Sequence, residues 1–502
     1  MNERLSKLKL NTILGVIYQI TLVLVNFILP RFFLKYYGSN VNGLISSITQ
    51  FLSFINLADM GIGAVVSSAL YKPLAEGDNE KISSIVAFAR KFFKIVGFLL
   101  IAYIVVLTFV YPIIVEDSFS VLFTVTLLWA MCISQFGQYF IGITYQLLLN
   151  ADQRSYVQLF INTVTIVLNA MAAIFIMMQG GIVQLVKLTT SLIFLARPVF
   201  MYGYVRKYYH INYKAKPDPA VVPQKRSGII QHIAYMVYQN TDVAVLTLFS
   251  TLSNVSIYSV YVLANNGLKS CVTALTTGFL AMFGNMIAKG EEEKLNKSYD
   301  MYDWMVHTVS SYVYTLSGVL IVPFILAYTR GINDANYNVP LFAVIITIAY
   351  ACNTVREGMF VVIKAAGHYK QTQKAFLMEA ILNLSVSIVF VFKFGLVGVA
   401  IGTMIATSLF GIYEMHYLSK NILFRKPVKY VRQILVDLLS VFGIVICTHW
   451  IHITTYTYIV WFEKALIAAL IAVAVLFVIE WIFYRNNLRK VFKLIHKRIV
   501  KV

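Results

Sequence analysis

Lys269 stands inside an apolar stretch, within the polar run Asn265-Asn266-Gly267-Leu268-Lys269-Ser270. An ammonium at the centre of a membrane helix costs roughly 2.5–3.5 kcal/mol on insertion scales, so it must meet water, a ligand or a counter-charge. Two compatible readings follow: Lys269 holds an anion in a cavity, or it is neutralised by Asp242 in the preceding apolar stretch. Arg31 follows Pro30, whose ring removes a donor and frees the carbonyl of Asn26, so a kink is expected there. Near the outer end of its helix, Arg31 either binds an anion or extends toward the headgroups. Arg356 and Glu357 are adjacent and serve as an ion pair or as substrate groups. Lys187, a turn inside its segment, is interfacial or lines the same cavity as Lys269.

The acids offer a different chemistry. Asp59 and Asp242 are carboxylates in apolar segments, suited to holding a coupling proton or sodium ion. Asp59 can equally cap a helix or pair with a base such as Arg90. Ser46, Thr49, Gln50, Ser53, Asn56 and Asp59 recur at three- and four-residue spacing, which puts them on one helix face that should meet water or protein. Asn26, Gln50, Asn56, Asn240, Asn265 and Asn266 are the candidate hydrogen-bonding groups of a polar cavity. Glu379, Glu414, Asp437 and Glu480 lie near basic ends or on outer helices and read as structural. His449 and His452 have helical spacing for a metal, but two ligands at a membrane edge make a weak site. The four cysteines show no paired spacing and read as packing residues. No GK[ST] phosphate loop appears and every outer loop is short, so neither nucleotide hydrolysis nor enzymatic catalysis is expected.

These residues need a scaffold that keeps them in a membrane. The chain has 502 residues, 59% hydrophobic and only 13% charged, with a mean hydropathy of +0.74. Runs of about 20 apolar residues, enough to cross a hydrocarbon core, recur throughout. The expected fold is all-α, with about fourteen transmembrane helices at 11–34, 43–71, 84–111, 121–149, 157–178, 182–204, 228–250, 257–287, 302–328, 339–363, 375–392, 396–418, 433–452 and 458–483. The net charge of +20 suggests nucleic acid at first, but most of the 42 Lys and Arg fall in alternate loops and termini. That asymmetry places both termini in the cytoplasm and excludes nucleic acid as a partner. The basic tail, Arg485 to Lys501, would lie against anionic lipid headgroups.

The longest polar interruption, 205–227, carries three prolines and six Lys or Arg, and reads as a cytoplasmic linker between similar halves. AEGDNEKI at 75–82 matches AKGEEEKL at 288–295, SNVNG at 39–43 matches SNVSI at 253–257, and the turn at Gly180 corresponds to that at Gly395. The offsets are nearly identical. The expected domains are a six-helix lobe at 1–204, the linker, a second six-helix lobe at 228–418, and two extra helices with a basic tail at 419–502. Six helices per lobe is an even number, so the lobes should be related by a pseudo-twofold axis along the membrane normal, with a central site.

Pro30-Arg31-x-x-Leu34-x-x-x-Gly38, Leu57-x-Asp59-x-Gly61 and Asn240-Thr241-Asp242 resemble recurring features of the polysaccharide transporters in the multidrug/oligosaccharidyl-lipid/polysaccharide exporter superfamily. The resemblance extends over the whole fourteen-helix plan and is best to the Wzx-type flippases. It implies alternating access and a cationic cavity, and a cargo of undecaprenyl-pyrophosphate-linked oligosaccharide for capsule or O-antigen synthesis. It further implies a monomer in the cell membrane, with a polysaccharide polymerase and export machinery as partners. No cofactor is implied beyond coupling to H+, Na+ or membrane potential. The alternative is another cargo on the same architecture: a peptidoglycan- or teichoic-type lipid precursor, or a drug/cation antiporter. The topology is testable with single cysteines in a background lacking the native four. Positions Ser118 and Asn333 should react with an impermeant thiol reagent in intact cells, and Ser227 and Asn486 only after lysis. The reverse pattern sinks the termini-inside arrangement.

Overall fold

Backbone N–H and C=O groups in hydrocarbon must be satisfied within their own segment, and long apolar sequence therefore becomes long helices. The computed structural model describes residues 2–55, 62–217, 226–276 and 278–499, and their regular structure is helical throughout. Twelve helices among the described residues are long and apolar enough to cross a membrane. The difference from fourteen has two causes. The run Ser6–Ser53 counts once although its backbone breaks inside it, and Arg226–Phe249 is diluted by Gln239, Asn240, Thr241 and Asp242.

The helices are α1 (Asn2–Ser53), α2 (Ile62–Glu76), α3 (Asn79–Ile114), α4 (Val121–Gly137), α5 (Ile143–Ala151), α6 (Ser155–Met178), α7 (Val183–Tyr208), α8 (Arg226–Phe249) and α9 (Leu252–Thr276). They continue with α10 (Phe279–Ala288), α11 (Glu292–Tyr328), α12 (Pro340–Ala365), α13 (Tyr369–Phe394), α14 (Leu396–Asn421), α15 (Val428–Thr448), α16 (Tyr458–Phe483) and α17 (Arg485–Ile499). A wider π turn at Gln138–Gly142 joins α4 to α5. The chain divides into two units, Met1–Ser256 and Ile257–Val502.

In the first unit, the break between the expected helices 11–34 and 43–71 falls inside the expected turn at 35–42. Pro30 sits in continuous helix, and α1 leaves helical geometry at Gly38, with φ 81° and ψ 177°. A side chain is strained at that positive φ, so glycine fixes where the two arms meet. The second arm then lies against α8 and the start of α9. A Cβ on Gly43 would come within 1.8 Å of the Leu252 carbonyl oxygen, which shows how close the backbones are. Polar groups fill the seam: Asn42 Nδ2 donates to Ser256 Oγ at 2.8 Å, and the Thr247 and Tyr111 hydroxyls both donate to Ser47 Oγ at 2.7 Å. Interhelical hydrogen bonds of this kind contribute about 0.6–2 kcal/mol each in membranes. This seam lies wholly within the first unit, Met1–Ser256.

The repeated loops share local geometry. Gly77 and Gly290 close α2 and α10 with φ of 71° and 67°, and Gly180 and Gly395 turn with φ of 73° and 53°. After Gly77, Asp78 accepts the Lys81 backbone N–H at 3.0 Å and caps α3. That bond holds the Asp78 carboxyl below the usual carboxylate range.

In the second unit, α14 packs on α13 through Gly402, where a Cβ would lie 2.2 Å from Ser387 Oγ. Helices α15 and α16 are fastened to α11 by buried polar contacts. Trp304 Nε1 donates to Glu480 Oε2 at 2.6 Å, Thr308 donates to Glu480 Oε1 at 3.1 Å, and the His307 ring meets Asp437. Asp437 and Glu480 thus make the structural contacts expected of them.

Gly43→Ala should lower the melting temperature in detergent, by about 1–3 kcal/mol of stability or more, because the obstructing atom is backbone and has nowhere to go. Gly203→Ala, with open space around it, should leave the melting temperature unchanged. Equal behaviour of the two variants would remove the close approach.

Candidate functional site

Charges inside the second unit are placed by α9, α12, α13 and α14. On α12, Tyr350, Asn353 and Glu357 recur at helical spacing and share one face. That face meets the polar run of α9. Lys269 Nζ donates to Asn353 Oδ1 at 2.7 Å and to Glu357 Oε1 at 2.7 Å. One turn earlier, the Tyr350 hydroxyl donates to Asn266 Oδ1 at 3.2 Å, while Asn265 is fully buried and donates to the Tyr261 carbonyl at 3.1 Å. The counter-charge at Lys269 is therefore Glu357, where the sequence had suggested Asp242.

Arg356, the neighbour of Glu357, points to other helices. Consecutive helical residues project about 100° apart, so adjacent charges cannot serve one site. Arg356 Nη1 lies 3.4 Å from Glu379 Oε2 on α13 and 3.9 Å from Glu414 Oε1 on α14. Its guanidinium also covers the Phe410 ring at 5.1 Å. The side chains of Arg356, Glu379 and Glu414 are 2%, 1% and 0% exposed, whereas Lys269 and Glu357 are 17% and 24% exposed. The contrast separates their roles. The first group is sealed and ties three helices together; the second is partly exposed.

An ammonium has three N–H donors, and two at Lys269 are taken. An anion arriving there gains the third donor, and a second one by displacing Glu357. Phosphate oxygens make short charge-assisted bonds of that kind.

In the first unit, Gln50 and Ser53 on the second arm of α1 both donate to Asn240 Oδ1 on α8, the latter at 2.7 Å. Part of the predicted polar stripe thus faces protein. Asp242 is buried on α8, while Asn26 is exposed on α1. Arg31 is half-buried on α1, and two residues on Phe33 supports Lys187, whose Nζ stands 4.3 Å above the ring. Asn56 and Asp59 lie outside the described residues. His449 and His452 sit with ring centroids 6.2 Å apart, and no group of three metal-ligating side chains occurs among the described residues.

Sequence reading missed Asn353 and Tyr350 as partners of the α9 amides and lysine. Their signal was the polar spacing 350, 353, 357 in an apolar run. It also passed over Arg197 on α7, which donates from Nε to Thr165 Oγ1 at 2.7 Å and lies 3.8 Å above Phe194. An arginine before Pro198 in an apolar segment was visible.

No family model and no curated protein matches the sequence. Solved structures do. One described as the lipid II flippase MurJ in an inward closed conformation superposes with a TM-score of 0.73 at 14% identity, covering 95% of this chain and 100% of that one. An inward-facing multidrug-resistance MATE transporter of the MOP superfamily gives 0.59 at 12% identity over 84% of this chain and 99% of that one. The MATE multidrug transporter DinF-BH gives 0.59 at 12% identity, over 84% and 97%. The fold is that of these transporters.

Arg356→Met should leave Glu379 and Glu414 buried without a cation and lower stability by about 3–5 kcal/mol. Adding Glu379→Gln and Glu414→Gln should return most of it, read as melting temperature and folded yield. Lys269→Ala should leave the melting temperature nearly unchanged. A stable Arg356→Met protein overturns the anchoring role.

Proposed function

We propose that this chain is a flippase for lipid-linked anionic glycans, carrying undecaprenyl-pyrophosphate-linked oligosaccharide units from the cytoplasmic to the outer leaflet of the cell membrane. The product would feed capsule or O-antigen-type polysaccharide export through a polymerase and export machinery. The observation that carries the reading is Lys269: a cation well inside an apolar helix, partly exposed, and held by a displaceable carboxylate. A polyprenyl tail can stay in lipid, but a pyrophosphate and its sugars cannot cross hydrocarbon unaided. Lys269 answers the phosphate, while Asn266, Tyr350 and Asn353 beside it supply hydrogen-bonding groups for hydroxyls. Arg31 and Lys187 are the first unit's candidates for anion binding, and Asp59 and Asp242 for a coupling ion. Movement is by alternating access in a monomer with both termini cytoplasmic, driven by H+, Na+ or membrane potential and with no catalytic step.

The likeness to MurJ gives a second reading its weight: lipid II, the cargo in that protein's description, is the competing substrate. Drug export, as in the MATE neighbours, is disfavoured by a cation at the partly exposed position.

Depletion in the native host should cause lipid-linked oligosaccharide to accumulate on the cytoplasmic leaflet. Accumulation of a peptidoglycan precursor instead, or drug hypersensitivity alone, reassigns the cargo. At equal protein levels, Lys269→Ala should reduce surface glycan sharply and Lys269→Arg should retain part of it. Loss of one cation facing a desolvated phosphate costs about 1–3 kcal/mol, roughly five- to a hundred-fold in apparent affinity. The pair Lys269→Ala/Glu357→Gln should remain defective. Full rescue by that double variant reduces Lys269 to a counter-ion.

A further inference from the structure

The first unit holds a hollow lined by basic side chains, apart from the contacts described above. After α7, residues 209–217 fold back along the start of α3. The Asn212 backbone N–H donates to Ser83 Oγ at 2.9 Å, and Ser84 Oγ donates to the Lys216 carbonyl at 2.6 Å. The strap begins at Tyr209, whose hydroxyl donates to Asp152, a carboxylate also held by Arg154 Nε at 2.7 Å. Tyr213 receives the Arg90 guanidinium over its ring at 5.7 Å. Between strap and helix is a hollow of about 260 Å³, lined among others by Ser83, Arg90, Lys91, Lys94, Asn212 and Tyr213.

Three features give this hollow a ligand class. Arg90, Lys91 and Lys94 are exposed, and among the described residues none pairs with a carboxylate; Arg90 and Lys94 rest on aromatic rings. The volume admits a phosphate group with its glycerol or sugar ester. Below the cations, one turn along the same helix face, Ile95, Phe98 and Leu99 are 52%, 56% and 53% exposed and begin the outward apolar stripe of α3. Charge thus passes directly into an acyl-chain surface. A hollow beside it, of about 440 Å³, contains Glu80 next to Lys81 and His210 and lacks that uniform charge.

We propose that the hollow between α3 and the 209–217 strap binds the phosphate of a membrane lipid headgroup, with the lipid's chains against Ile95, Phe98 and Leu99. This goes beyond the flippase reading and does not depend on its cargo. Each basic residue near an anionic surface adds a comparable increment of attraction, and the hollow gathers three.

The test is native mass spectrometry of the purified full chain, titrated separately with phosphatidylglycerol, undecaprenyl pyrophosphate and inorganic phosphate. Arg90→Gln/Lys91→Gln/Lys94→Gln should weaken lipid binding roughly tenfold or more. The charge-matched control Lys289→Gln/Lys294→Gln/Lys297→Gln should stay within about twofold. Loss for both lipids identifies a general headgroup site, and loss for one alone names its source. Unchanged binding in the α3 variant overturns the proposal. Inorganic phosphate binding as tightly as either lipid overturns the lipid assignment. Lys91→Gln alone, at an exposed position, keeps the test open if the triple variant fails to fold, with a smaller loss expected and no loss counting against the site.

Discussion

A charge surrounded by apolar helices must find an opposite charge or water, and the second unit is arranged around that requirement. Its sealed charges are matched across helix boundaries: Arg356 on α12 by Glu379 on α13 and Glu414 on α14. Such a cluster contributes less to net stability than its Coulomb attraction suggests, because every member gave up water. What it does strongly is penalise separation. Pulling α13 or α14 away from α12 exposes an uncompensated ion to a low-dielectric interior, which costs far more than breaking apolar packing of the same area. The aromatic rings of Phe376 and Phe410 around the guanidinium keep water from relieving that cost.

Close backbone approach supplies the complementary constraint where charge is absent. Lipid chains are as apolar as leucine, so helices gain little from hiding apolar surface from them, and association rests on packing and hydrogen bonds. Gly43 against Leu252 and Gly402 against Ser387 are the places where small residues allow it. Hydroxyls and amides then bridge the helices: Ser47 with Thr247 and Tyr111 in the first unit, Asn383 with Thr403 in the second. The extra helices α15 and α16 use a third device, attaching to α11 by carboxylates that accept from Trp304, Thr308 and His307.

Much of this was legible in order along the chain and little of it across the chain. Apolar length announced the helices, and the repeated loops announced glycine turns, since Gly77 and Gly290 both take the positive φ that ends a helix. Lys269 was visible because a lone cation in an apolar run has few explanations. Its partner was not, because Glu357 is 88 residues away and α9 meets α12 only once the helices pack. Proximity in sequence favoured Asp242 and favoured pairing Arg356 with Glu357; helical projection sends each elsewhere. The break in α1 was legible too: it falls at Gly38, inside the expected turn at 35–42, because Gly38 adopts a backbone geometry that a helix cannot contain, while Pro30 leaves the helix unbroken.

The adjacency of Arg356 and Glu357 gives α12 two unequal faces, and that inequality bears on how a site can open without unfolding. One face is fixed to α13 and α14 by a sealed charge cluster; the other holds α9 through a partly exposed ion pair, a charge-assisted bond from Lys269 to Asn353 and a neutral bond from Tyr350 to Asn266. A partly exposed ion pair is screened by water more than a sealed one and holds its helices less firmly. An anion that draws Lys269 from Glu357 therefore competes with a weak contact and leaves the strong one intact. Glu357, partly exposed, can take up water in place of the lysine, while Glu379 and Glu414 cannot. Parting Lys269 from Glu357 leaves the charge cluster of α12, α13 and α14 untouched, and that cluster makes their assembly the costlier one to deform.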